Sequence, residues 1–190
     1  PDLFTLTNDA GFNVVLNPIQ EEVCFGQDLV LSPVFTSVIP VTPFLNWYKD
    51  AASTQPITSS PTPDSDGITY QINPSSGVLT ISGQKAGNYI YYLEISGSGI
   101  CTLVESALAQ VFPVPTADIT VKDVTCFGGN DGEIKFISVD PVGPNTFTLV
   151  QTGATNTTGN FGGLTAGSYT VKVQENGSPC FAEFEVEVTE

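Results

Sequence analysis

Apolar and polar residues alternate in short runs along the whole chain, and the runs are separated by clusters of Gly, Pro, Asn, Asp and Ser. Period-two alternation of this kind predicts half-buried β-strands joined by turns. In the first part of the chain it predicts strands over 12–16, 29–31, 44–49, 68–72 and 78–81. The next strand puts Tyr89, Tyr91, Leu93 and Ile95 on one face, and a last one runs from Leu103 towards Phe112. Further on, strands are expected over 119–124, 133–139 and 147–150, followed by one with Tyr169, Val171 and Val173 on a common face. The final strand alternates cleanly, with Phe184, Val186 and Val188 inward and Glu183, Glu185 and Glu187 towards water. No stretch carries the 3.6-residue period of an amphipathic helix. The expectation is an all-β protein built from small sandwiches.

An internal repeat divides those strands. Residues 24–28 read Cys-Phe-Gly-Gln-Asp and residues 126–131 read Cys-Phe-Gly-Gly-Asn-Asp. Ala86-Gly87-Asn88-Tyr89 returns as Ala166-Gly167-Ser168-Tyr169, and each is followed by a strand, a Gly/Ser turn and a cysteine, Cys101 or Cys180. The repeat predicts two tandem Ig-like β-sandwich modules, 1–115 and 116–190, meeting at a short Pro-containing linker, Phe112-Pro113-Val114-Pro115-Thr116. It also selects one cysteine pairing per module, Cys24–Cys101 and Cys126–Cys180. Each bridge would stabilise its module by roughly 4 kcal/mol in the chain-entropy model. Buried free thiols are the other reading of these cysteines.

Composition narrows the function. Acidic residues outnumber basic ones 20 to 5, the formal net charge is −15, and the chain has no His and no Met. Nucleic-acid binding needs a Lys/Arg footprint that five scattered lysines do not supply. Without His, the commonest general base and metal ligand are missing, and a mixed Cys/His zinc site is ruled out. No apolar run is long enough for a membrane helix. Pro1 stands where an initiator Met would be, which reads as a piece of a longer exported protein. Dispersed cysteines with no CxxC pair fit disulfides in an oxidising, extracellular compartment.

The remaining candidate chemistry is sparse. Asp64 and Asp66 in Asp-Ser-Asp-Gly, and Asp131 and Glu133 in Asn-Asp-Gly-Glu, offer hard oxygen ligands suited to calcium. Turn chemistry alone accounts for the same residues. Asp118 and Asp140 form a third, weaker group. Paired carboxylates could in principle serve glycoside hydrolysis, but no cleft is implied, and the chain is read as non-enzymatic with no cofactor. Trp47 and Tyr48 are adjacent in a strand and therefore point to opposite faces. They are candidate glycan contacts, with Tyr70, Tyr91 and Tyr92 as further ones, and the alternative places Trp47 in the core.

Val124-Thr125-Cys126-Phe127-Gly128-Gly129-Asn130-Asp131-Gly132-Glu133-Ile134 resembles the opening of the SprB-type repeat of large surface adhesins in gliding Bacteroidota. Residues 160–171 through Cys180 resemble its second half, while the mid-repeat segment keeps only Pro144 and Phe147 of the usual pattern. Residues 1–115 are similar to the Ig-like modules of such proteins. The resemblance implies a non-enzymatic structural and adhesive segment of a repetitive cell-surface adhesin, exported by a type IX system and engaged in gliding motility and attachment. Its partners would be neighbouring repeat modules and surface polysaccharide. A calcium-assisted glycan-binding module is the alternative.

Overall fold

A computed structural model describes residues 12–17, 20–37, 43–97 and 100–190, with the backbone alone described at 12–17, 35–37, 100 and 101. The chain divides into two compact units, Pro1–Val111 and Phe112–Glu190.

The first unit holds β1 (Phe12–Asn17), β2 (Gln20–Cys24), β3 (Leu29–Ser37), β4 (Phe44–Tyr48), β5 (Thr69–Ile72), β6 (Leu79–Ser82), β7 (Gly87–Gly97) and β8 (Ile100–Phe112). They form two four-stranded sheets, ordered β1-β3-β6-β5 and β2-β8-β7-β4. The inward residues of both sheets meet in one core: Leu29 and Leu31 from β3 and Leu79 and Ile81 from β6 on one side, Trp47, Tyr91, Leu93 and Ile95 on the other. Each of these except Tyr91 is essentially sealed from solvent. Two sheets joined in this order around a central Trp make an Ig-like Greek-key sandwich.

In the second unit, β9 (Thr116–Lys122), β10 (Gly132–Asp140) and β13 (Asn160–Leu164) make one sheet, ordered β13-β10-β9. The other is ordered β12-β11-β14-β15, from β11 (Asn145–Leu149), β12 (Ala154–Asn156), β14 (Gly167–Glu175) and β15 (Phe181–Val188). Ile134, Val171, Val173 and Val188 lie at the centre, with Phe136 packed edge-on against Phe184 at 5.6 Å. The fold class is all-β with Ig-like sandwiches. β2, β12 and β13 were not expected, because Gln-Glu-Glu, Ala-Thr-Asn and Gly-Gly carry too little apolar alternation to register as strands.

The sequence repeats turn out to be repeated backbone devices. In Cys24-Phe25-Gly26-Gln27 the Gln27 N–H donates to the Cys24 carbonyl at 2.9 Å, with Gly26 at φ 89°. In Cys126-Phe127-Gly128-Gly129 the Gly129 N–H donates to the Cys126 carbonyl at 2.8 Å, with Gly128 at φ 72°. A positive φ at the third position is the type II turn, which selects glycine there. The second repeat is a tyrosine corner. The Tyr89 hydroxyl donates to the Lys85 carbonyl at 2.7 Å, and the Tyr169 hydroxyl to the Thr165 carbonyl at 2.9 Å. Gly87 and Gly167 precede them at φ 155° and 156°.

The same topology overturns the expected cysteine pairing. Val124 N–H donates to the Thr189 carbonyl and Gly128 N–H to the Glu190 carboxylate, so Cys126 sits beside the end of β15. Cys180 immediately precedes the start of β15, a full eight-residue strand away. At about 3.3 Å per residue that is roughly 26 Å, whereas a disulfide needs Cα atoms within about 7 Å. Cys126 is a free, exposed thiol, while Cys180 is buried and disulfide-bonded. Cys24, also disulfide-bonded, precedes β3, whose Leu29 pairs with Ile81 near the end of β6. Cys101 is the second residue of β8, at the opposite end of the sandwich, ten residues before the Val111 that faces Gly87. The repeat identifies equivalent positions correctly. Those positions, the turn before β3 or β10 and the last hairpin, lie at opposite ends of each sandwich.

Candidate interaction surface

The residues of β4, β7 and β8 that point away from the core form the most distinctive surface of the first unit. On β7, burial of Tyr91, Leu93 and Ile95 turns Ile90, Tyr92 and Glu94 outward. On β8, buried Ala107 and Ala109 turn Val104, Ser106 and Leu108 outward, and on β4 buried Trp47 does the same for Phe44, Asn46 and Tyr48. Register then places them side by side: Tyr48 opposite Tyr92, Tyr92 opposite Ser106, Ile90 opposite Leu108, and Glu94 opposite both Asn46 and Val104. Directly opposed side chains on a sheet have Cβ atoms about 5 Å apart, so Tyr48, Tyr92, Ile90 and Leu108 form a contiguous apolar and aromatic patch, bordered by Ser106, Asn46 and Glu94. Phe44 is 69% exposed, Ile90 47% and Leu108 46%. Glu22 lies outward on the neighbouring edge strand, where Val23 faces the core.

This surface corrects the aromatic reading. Trp47 is completely buried, and its indole N–H donates to the Gly77 carbonyl at 2.8 Å. It is a core residue and offers no ring face to a ligand. Tyr70 and Tyr91 are also buried, and burial pushes the Tyr91 phenol well above its ordinary pKa. Tyr48 and Tyr92 remain, half-buried and paired across β4 and β7. Ile90 and Leu108 were missed because their strands already supplied a complete inward set. The readable signal was the surplus: β7 and β8 carry apolar residues on both faces.

A second feature is a cleft of about 340 Å³ lined by Lys49, Ile57, Ser60, Thr62, Asp64 and Tyr70, among others. Lys49 reaches Asp64 at 2.7 Å and lies 4.6 Å from the centre of the Tyr70 ring. The other Asp64 oxygen accepts from the N–H groups of Asp66 and Ile68, both at 3.0 Å. The Lys49 hydrogen bond, with the Ile68 N–H second, holds the Asp64 carboxyl down at about 2. For Lys49, burial pulls the pKa down, but the bonds to Asp64 and Tyr70 outweigh it and leave the ammonium raised. The cluster is a closed ion pair that staples the 64–68 turn to the end of β4.

Asp131 plays the same part in the second unit. It accepts from the Thr125 hydroxyl and N–H and from the Lys122 ammonium at 3.2 Å. The Thr125 contacts, then Lys122, hold its carboxyl far below the usual range. Asp66 is exposed in the Asp64 turn, and Glu133 faces Lys122 across β9 and β10. Among the described residues no group of three or more acidic or cysteine side chains gathers as a metal site. Asp118 accepts from the Ser138 hydroxyl at 2.7 Å. Among the described residues no helix is long and apolar enough to cross a membrane.

No protein-family model matches the chain, and no curated protein matches it. Among solved structures it is similar to murine CEACAM1b, at 13% identity and TM-score 0.45, over 93% of this chain and 98% of that one. It is similar to the amphioxus IgVJ-C2 molecule at 17% identity and TM-score 0.38, over 89% of this chain and 99% of that one. The N-terminal four Ig domains of Dscam1 isoform 6.9 match at 16% identity and TM-score 0.40, over 93% of this chain. The chain spans 45% of that Dscam1 fragment.

Proposed function

We propose that this chain is a non-enzymatic, extracellular adhesive segment that makes contact through the outward face of β4, β7 and β8. The observation that carries this reading is the outward set on one sheet face, exposed Ile90, Val104 and Leu108 with half-buried Tyr48 and Tyr92. Contiguous apolar surface of this kind on a soluble domain marks an interaction site. Disulfide-bonded Cys24 and Cys180 favour an oxidising compartment, and the net charge of −15 keeps a surface array of such modules soluble and mutually repelling. The resemblance of 117–190 to the SprB-type repeat extends the reading to a large repetitive adhesin of a gliding bacterium, exported by a type IX system, with further modules of the same chain as neighbours.

The test is adhesion of beads coated with the purified chain to protein-coated and polysaccharide-coated surfaces, each with calcium and with chelator. Calcium-independent attachment to protein surfaces is the expected result. Saturable, chelator-sensitive attachment to one polysaccharide class alone would instead establish the calcium-assisted glycan-binding alternative, for which Tyr48 and Tyr92 would be the stacking platform. Attachment to neither would remove the adhesive reading.

A further inference from the structure

Resting on the adhesive reading, we infer the chemistry of the partner: a protein surface that is apolar at its centre and rich in lysine or arginine at its rim. The centre is set by Tyr48, Tyr92, Ile90 and Leu108, which the strand register makes contiguous. The rim is set by charge. Glu94 borders these four residues in the next row of the register, between Asn46 and Val104, and Glu22 lies on the β2 edge, while the unit's two lysines, Lys49 and Lys85, fall outside β2, β4, β7 and β8. Lys49 is moreover already engaged by Asp64. An isologous contact with a second copy would bring these carboxylates together beneath a net charge of −15 on each chain, with no cation on the face to offset them. A basic-rimmed partner reverses that sign at every rim position, so electrostatics favours it in both encounter and docking.

The fold does not require such a face, because the second unit lacks it. Its corresponding strands β11, β14 and β15 turn outward Thr146, Thr148, Ser168, Thr170, Glu183, Glu185 and Glu187. The size of the first unit's face sets the strength of binding. Three strands about 4.8 Å apart, over the five residues of β4 at about 3.4 Å each, cover roughly 250 Å². A standard protein–protein interface uses about 800 Å² per partner. A single contact is therefore weak, and firm attachment comes from many copies acting together.

The probe is a synthetic peptide alternating Lys with Leu and Tyr, compared with the same peptide carrying Glu for Lys, titrated into the full isotope-labelled chain. The Lys peptide is expected to shift backbone amides of β4, β7 and β8, to weaken at least tenfold against the paired variant I90S/L108S, and to weaken against E94K. The Glu peptide is expected to leave the spectrum unchanged. Both substituted positions are solvent-facing, and unchanged thermal unfolding confirms that the variant is folded. Shifts centred on Glu183, Glu185 and Glu187, or binding indifferent to I90S/L108S, would reduce the effect to general charge attraction and overturn the proposal. Self-association through this face in sedimentation would overturn it in favour of a second copy. Bead adhesion that persists unchanged in I90S/L108S sinks the partner assignment alone, whereas absence of adhesion by the unsubstituted chain sinks the adhesive reading beneath it.

Discussion

The two units present opposite chemistry on corresponding sheets. In the first, Ile90 faces Leu108 and Tyr48 faces Tyr92 on the solvent side. In the second, Thr170 faces Glu185, Ser168 faces Glu187 and Lys172 faces Glu183. Even the exposed Phe181 at the end of that row carries a charge, with the Lys172 ammonium 3.9 Å from its ring centre. The inner faces, by contrast, are alike: Tyr91, Leu93 and Ile95 against Val171 and Val173, all buried. Folding constrains only the inward half of each strand. The outward half is left open to function, and there the units diverge. The first unit has a surface suited to contact, and the second a hydrated, acidic surface that resists strand-to-strand association.

The largest effect that separates the units is expected in the core. Trp47→Ala removes a fully buried indole and its bond to Gly77, at a cost of about 3–5 kcal/mol. Hydrogen exchange followed by mass spectrometry should show lost protection throughout β3 to β8 and retained protection in β10, β14 and β15. Equal loss in both units would mean that they unfold as one.

The tyrosine corners test where the units are the same. Tyr89→Phe and Tyr169→Phe each delete one hydroxyl bond to an upstream carbonyl, worth about 1 kcal/mol apiece. Denaturant titration should give similar losses for the two variants. A several-fold disparity would break the equivalence of the corners.

Acid titration yields a smaller effect. Asp64 and Asp131 both have depressed folded-state pKa values, through Lys49 and through Thr125 and Lys122 respectively. Their contribution to stability is complete above the unfolded carboxylate pKa of about 4. It is lost as pH falls from there, through about 2 for Asp64. Asp64→Asn and Asp131→Asn should each flatten the acid limb of stability between pH 4 and 2, with little change at pH 7 beyond the modest value of an exposed pair. An unaltered acid limb in both variants would refute the staple assignment.

The smallest effect concerns the cysteines. Cys126 should alkylate in the native, unreduced protein, and Cys126→Ser should leave stability within about 0.5 kcal/mol. Cys180 should resist until reduced. Protection of Cys126 would restore the pairing that the strand topology rejects.

Alternation alone made the inward faces legible, because burial of one strand face writes itself into every second residue. Trp47 in the core and the glutamate row on β15 were readable for that reason. The repeated Cys-Phe-Gly and Ala-Gly-x-Tyr segments were readable as equivalent positions. Their physical meaning, a type II turn and a tyrosine corner, depends on one φ angle and one hydroxyl bond that spacing does not encode. Cysteine pairing was not legible, since equivalence in a repeat carries no information about which end of the sandwich a turn occupies. The contact face was hidden differently: its members are interleaved with core residues on β7 and β8, and only cross-strand register assembles them.

Hydroxyl-radical footprinting of the intact chain, free and bound to the Lys-rich apolar peptide, tests the contrast between the units most directly. Protection of Tyr48, Tyr92, Ile90 and Leu108 on binding, with Phe181 and Tyr169 unchanged, is the predicted pattern. Protection spread over β14 and β15, or absent from the β4–β7–β8 face, would contradict the assignment of contact to the first unit.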